Sequence, residues 1–217
     1  MEKNKKIKKV TNVQRTGIML VVSSPSGAGK TTLANKLLEE DKDIELSISV
    51  TTRKKRKEEK NKKDYIFIDE SDFNKMVKYD ELLEYALVFG NKYGTPKEPI
   101  YEKLKRGKDI LFDIDWQGTQ ALKEKELKKI VSVFILPPSK KDLEKRLISR
   151  GQDSDKEVKK RMAEANSEIT HWPEYDYVIV NDDIKETLKK LKSILNAERL
   201  KRNRQTGLTD FVRKITN

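Results

Sequence analysis

The stretch 18-IMLVVSSPSGAGKTTLANKLL-38 decides the fold. Ile18 to Val22 is an apolar run that reads as a short buried strand. Ser23 to Gly29 is a small-residue turn. Lys30, Thr31 and Thr32 then open an apolar-periodic segment, Leu33, Leu37 and Leu38, that reads as a helix. Strand, glycine-rich turn and helix with Lys-Thr at the helix start form a phosphate-binding loop. Gly27 and Gly29 let the backbone curl so that successive N–H groups point inward. The helix adds its unsatisfied N-terminal donors and its positive dipole end. Ser24, Pro25, Ser26, Gly27, Ala28, Gly29, Lys30, Thr31 and Thr32 are thus candidates to cradle a polyphosphate. Lys30 would reach the outer phosphates and the Thr31 hydroxyl would ligate Mg²⁺. Ser24 stands where the usual pattern has glycine, but the inward-pointing glycines remain.

Outward from the loop, apolar runs recur at 46-LSISVTT-52, 109-DILFDID-115, 130-IVSVFIL-136 and 176-DYVIVND-182, with helical stretches between them. The pattern predicts an α/β fold with a parallel sheet, right-handed crossovers and a nucleotide at the carboxyl ends of the strands. Asp113 and Asp115 end a buried strand, and an acid there reads as the Mg²⁺ side of a nucleotide site. Between the main strands, 65-YIFI-68 reads as a strand and Ser71 as the cap of a helix carrying Phe73, Met76 and Val77. Gly90 and Gly94 read as bracketing a turn that holds Tyr93. A helix is expected from Pro96 to Gly107 and another from Trp116 to Lys125. Ser139 should cap a helix through Arg150, with Arg146 and Arg150 on one face. Gly151 should end it, and Ser154 should start the next, which passes Arg161 to Ile169. Asp182 or Asp183 should cap a final helix to Arg204, leaving the last dozen residues loosely held. His171 is assigned no role.

The 217 residues suit one domain or one core with inserted lobes, and 35% hydrophobic content is enough for a core at this length. There is no cysteine, so no disulfide framework and no thiolate metal site is expected, and a reducing compartment fits. No apolar run is long enough for a membrane span, and the N-terminus lacks a secretory apolar region. Of the net charge of +12, residues 1–15 and 53–63 carry +11. A nucleic-acid protein often spreads its charge as a stripe. Here it sits in an arm and one loop, which argues for a disordered basic arm and a local anion site, and against nucleic-acid binding as the main role.

The basic loop points to a second site. Arg53 and Arg56 follow a strand, and Tyr65 and Tyr93 lie in the same region. Two guanidiniums and two phenol hydroxyls suit a phosphate monoester. With 24-SPSGAGKT-31, 49-SVTTRKKR-56, 64-DYIF-67, 84-EYALVFGNKYGT-95, 113-DIDWQG-118, 134-FILPPS-139, 145-KRLISRGQDS-154 and 178-VIVNDD-183, the chain resembles the guanylate kinases over roughly residues 16–205. The resemblance implies a P-loop NTPase-type parallel core flanked by helices. It places the core at 16–50, 97–145 and 170–205, a small inserted GMP-binding lobe at 51–96 and an arginine-bearing lid at 146–169. Residues 1–15 and 206–217 are left as arm and tail.

The resemblance further implies that Ser49, Arg53, Arg56, Tyr65 and Tyr93 grip the GMP phosphate. Glu84 would accept from guanine N1–H and the 2-amino group, with Thr95 (often Ser in the family) and Asp115 completing base recognition. Thr31 and Asp113 would hold Mg²⁺. Arg146, Arg150 and Arg161 would close over ATP, and Asn181 and Asp182 would meet adenine. The implied enzyme is cytoplasmic, a monomer or homodimer, using ATP and GMP or dGMP. Two rival readings are a kinase of another nucleoside monophosphate and a catalytically silent phosphopeptide-binding module of the same fold. The whole Lys30-Thr31 loop and the absence of room for a flanking domain argue against the module.

Overall fold

A computed structural model describes residues 13–88, 90–126, 129–149 and 155–217. Five strands, β1 (Met19–Ser23), β2 (Ile44–Leu46), β7 (Asp109–Asp113), β8 (Ile130–Leu136) and β9 (Tyr177–Val180), form one sheet in the order β2-β7-β1-β8-β9. Every pairing in it is parallel. β1 is central and wholly buried, as its unbroken apolar run requires when helices cover both faces. Its alternating side chains divide the core. Ile18, Leu20 and Val22 pack with Leu33 and Leu37 of α1 (Lys30–Glu40) and with Leu188, Leu191 and Leu195 of α7 (Ile184–Arg199). Met19 and Val21 pack with Ile100 and Leu104 of α3 (Lys97–Lys105) and Leu122 of α4 (Trp116–Glu126). The chain switches from one side of β1 to the other, and the glycine turn lies at the carboxyl end of that central strand, where α/β sheets bind ligands.

A second sheet has the order β4-β3-β6-β5, from β3 (Val50–Thr51), β4 (Ile66–Phe67), β5 (Leu82–Val88) and β6 (Asn91–Pro96). Phe73 of α2 (Glu70–Lys78) packs against Val50 and Leu82 beneath it. Leu82 belongs to this small core while Leu83 belongs to the main one, so β5 ties the two together. Two further helices, α5 (Lys140–Ser149) and α6 (Asp155–Ile169), pack through Leu143, Leu147, Val158, Met162 and Ala165.

The structure corrects several local expectations. The run 46–52 is two strands, β2 and β3, in different sheets. Its period-2 pattern continues across the crossing, so sequence alone shows no break. Asp69, not Ser71, caps α2, accepting from the Asp72 N–H at 2.8 Å. Tyr93 and Gly94 lie in a strand rather than a turn. A Cβ on Gly94 would meet the Leu82 side chain at 2.8 Å, so the glycine serves close packing. Ser139 does cap α5, through the Asp142 N–H, and Asp183 caps α7. That helix stops at Arg199 and is followed by a short 3₁₀ turn, Arg202–Arg204. The last residues form α8 (Leu208–Thr216), which buries none of its residues. Residues 1–12, Arg150, Gly151 and Ser154 lie outside the described residues.

The end of the expected basic arm is anchored. The Gly207 N–H bonds to the Gln14 carbonyl, and Arg15 pairs with Asp109 at 2.6 and 3.0 Å. Asp109 is fully buried, and it also accepts from Arg199 at 2.7 Å and from the Ile18 N–H at 2.9 Å. Such a carboxylate is paired on every side, and removing its charge leaves two guanidiniums facing each other. Asp109→Asn should therefore cost about 2 kcal/mol of stability, read as a lower urea midpoint with unchanged slope. An unchanged midpoint would mean the pairs contribute nothing net.

Candidate active site

The glycine turn is shaped by two left-handed residues, Gly27 with φ 89° and Gly29 with φ 98°. It is also braced from behind. Asn181, just past β9, donates from Nδ2 to the Ala28 carbonyl at 2.7 Å, while its Oδ1 accepts from the Thr187 hydroxyl at 3.0 Å. A Cβ on Gly29 would sit 2.5 Å from that amide nitrogen. Asn181 is 3% exposed with both ends of its amide satisfied inside the protein. Its side chain braces the loop. Asp182 beside it is exposed. Arg146 donates to the Asn181 carbonyl at 3.0 Å and to the Ala28 carbonyl at 3.4 Å, so it already stands at the loop. Arg161 is carried on α6.

Glu168, near the end of α6, accepts from the Ser26 N–H at 3.1 Å. Burial pushes its carboxyl up, against that bond, which favours the charged form. Lys30 contacts the Asp113 carboxylate. The β1–β7 register sets this contact, since Val22 stands opposite Asp113. Thr31 follows Lys30 at the exposed start of α1. One carboxylate and one hydroxyl are the hard oxygen donors that Mg²⁺ takes when phosphates and water supply the rest, so the residues present fit that ion.

Ser49, Tyr65, Glu84, Tyr93, Asp113 and Asp115, all named from sequence, line one cavity of about 310 Å³ together with Ala86 and Ile114. Thr95 lies under it, donating to Glu84 Oε1 at 2.6 Å, and its hydroxyl is 3.4 Å from that of Ser49. Pairing slips by one residue between Leu82 and Tyr85, a bulge that sets the direction of Glu84. Arg53 joins the group through Nε to the Tyr93 hydroxyl at 3.2 Å, and Tyr65 and Tyr93 meet edge to face. Burial keeps the Tyr65 phenol protonated and so a donor. The Arg56 side chain is exposed, and its backbone N–H bonds to Glu59. A larger cavity of about 510 Å³, lined by Tyr101, Leu104 and Arg204 among others, lies at the other end of the strands and includes none of these residues. His171 stacks on Trp116 and bonds to Glu174, a packed surface histidine.

Glu84 is 4% exposed, and burial raises its carboxyl from 4.5 to about 7, helped by the charge on Asp115 and opposed by the Thr95 hydroxyl. The folded chain therefore binds more protons than the unfolded chain between those values. Stability falls as pH rises from 4.5 to about 7 and levels off above it, by about 3 kcal/mol in all. Urea midpoints across that window, compared with those of Glu84→Gln, isolate the group. Parallel profiles for the two proteins would refute the shift.

Glu59 and Glu168 carried no local signal, and Asn181 was named from its motif but without its contact to the loop. Glu59 looks like one solvated charge in a lysine-rich run. Glu168 and Asn181 act on a loop 142 and 153 residues away. Only the folded chain brings them there.

The comparisons with known proteins agree with this geometry. The guanylate kinase family model matches residues 16–198. Guanylate kinase of Nitrobacter hamburgensis is 56% identical over 203 residues, covering 94% of this chain and 93% of that protein. That of Novosphingobium aromaticivorans is 55% identical, with 94% and 92% covered. The crystal structure of guanylate kinase from Anaplasma phagocytophilum superposes with a TM-score of 0.74 at 40% identity, covering 93% of this chain and 96% of that one. The chain belongs to the guanylate kinase family.

Proposed function

We propose that this chain transfers the γ-phosphoryl group of ATP to GMP, giving ADP and GDP. The observation that carries the reading is Asp113. It lines the cavity that holds Glu84, Tyr65 and Tyr93, and it touches Lys30 of the glycine loop. Two anion-holding sites therefore share one wall, as direct transfer between two bound phosphates requires.

In this reading the loop N–H groups and Lys30 hold the donor phosphates. Arg53, Arg56, Tyr65, Tyr93 and Ser49 hold the acceptor phosphate. Glu84, Thr95 and Asp115 read guanine, whose N1–H and 2-amino group present two adjacent donors to a carboxylate. A phosphate oxygen of GMP forms a bond to the γ-phosphorus as the bond to the ADP oxygen breaks, and no covalent intermediate on the protein is needed. Arg146, Arg150 and Arg161 spread the charge of the transferring group and close water out. Mg²⁺, held by Thr31 and Asp113, would supply further neutralisation of that charge. Asn181 keeps the Ala28 carbonyl turned back, so the loop's donors face the nucleotide. dGMP meets the same contacts, and the reading includes it.

No helix among the described residues is long and apolar enough to cross a membrane, and a cytoplasmic enzyme fits the reading. The test is ADP production with GMP present and absent, then with AMP, UMP and dTMP in its place. A preference for AMP would defeat the guanine assignment, and no GMP-dependent ADP would defeat the enzyme.

A further inference from the structure

Loop 53–63 carries eight basic and two acidic residues. Left to themselves, its cations would repel one another and spread the loop into water. Of the two acids, Glu58 is exposed and Glu59 turns inward. Each Glu59 oxygen has a partner. Oε1 accepts from an Arg53 terminal nitrogen at 2.6 Å, and Oε2 accepts from the Arg56 N–H at 2.8 Å. The Glu59 N–H returns to the Arg56 carbonyl at 3.2 Å, closing a tight turn. The effect on charge is mutual. Arg53 holds the Glu59 carboxyl below its ordinary value, and Glu59 holds the guanidinium more firmly protonated.

Arg53 is thereby fixed at several points. Its Nε donates to Tyr93, one terminal nitrogen donates to the Lys54 carbonyl at 2.9 Å, and the other donates to Glu59. The guanidinium carbon lies 5.4 Å from the Tyr65 ring centre and 5.8 Å from that of Phe67. A guanidinium has five N–H donors. Among the described residues three are engaged, leaving one on each terminal nitrogen.

We propose that Glu59 is a positioning residue for the acceptor phosphate. It fixes the Arg53 guanidinium beside Tyr65 and Tyr93 before the monophosphate arrives, with two donors still open. An arginine on a flexible stem loses rotamer freedom when it is held. Glu59 makes that loss part of folding rather than of binding. This rests on the acceptor reading of the cavity and adds to it the part that orients the arginine.

The experiment uses the full chain with Glu59→Gln, Glu59→Ala and the exposed neighbour Glu58→Gln as control. The expected result is a KM for GMP roughly tenfold higher in Glu59→Gln and higher again in Glu59→Ala. KM for ATP, kcat and the melting temperature should stay within about twofold or a degree or two of the parent's, and Glu58→Gln should match the parent. Calorimetric titration of GMP without ATP should show the same weakening, which reads the arginine site apart from turnover. An unchanged KM and Kd for GMP would overturn the proposal. So would tighter GMP binding, which would make Glu59 a competitor of the phosphate. Equal losses for ATP and GMP with a lower melting temperature would reduce it to a loop brace. A parent chain that binds GMP but makes no ADP would sink the transfer reading alone, and one that does not bind GMP would sink both.

Discussion

Lys30→Ala should slow GMP-dependent ADP formation about 10³-fold, roughly 4 kcal/mol of barrier. Two effects add. The ammonium that meets the charge developing on the transferred group is gone. The Asp113 carboxylate, which Lys30 contacts, also loses its neighbouring cation. Both side chains are partly exposed, at 21% and 31%, so water screens the pair in the ligand-free protein and its loss changes stability little. The melting temperature should therefore stay near the parent's while kcat collapses. A kcat close to the parent's would show that Lys30 does not meet the transferring phosphoryl group.

Glu84→Gln should lower kcat/KM for GMP by about 10³- to 10⁴-fold while leaving the small activity on AMP nearly unchanged. An amide offers one acceptor and one donor, so it must turn a donor toward one of guanine's two. The same change should make the ligand-free protein more stable above about pH 7, by about 2 kcal/mol, because a carboxylate raised to about 7 by burial no longer has to ionise in place. Opposite signs for activity and stability mark a residue kept for its ligand rather than for the fold. The parent's KM for GMP should also rise as pH falls below about 7, where Glu84 takes up a proton and loses its capacity to accept two bonds. That trend should vanish in the variant. A guanine preference that survives Glu84→Gln would move base recognition elsewhere in the cavity.

What the sequence made legible was local or periodic. The glycine loop is read from eight adjacent residues because its chemistry lies in its own backbone. Four of the five main strands are read from apolar runs because a parallel sheet covered on both faces admits little else. The errors have physical causes. Residues 46–52 keep their alternation while passing from one sheet to another, and no glycine or proline marks the step. Gly94 looked like a turn residue, but it is small because Leu82 packs over it. Asp109, Arg15 and Arg199 are separated by 90 residues or more in sequence, and each resembles an ordinary surface charge until the chain folds. The same holds for Asn181, where the neighbouring motif is legible but the direction of its amide is not.

The brace behind the glycine turn bears on how the chain is made. Synthesis runs from the amino end, so the loop leaves the ribosome before its brace. Asn181 and Thr187, which fix the Ala28 carbonyl, leave it more than 150 residues later. A nascent chain released before them carries every loop residue without the loop's final shape, and so has no finished place for a triphosphate. Competence to bind the donor thus waits on residues made long after the loop itself.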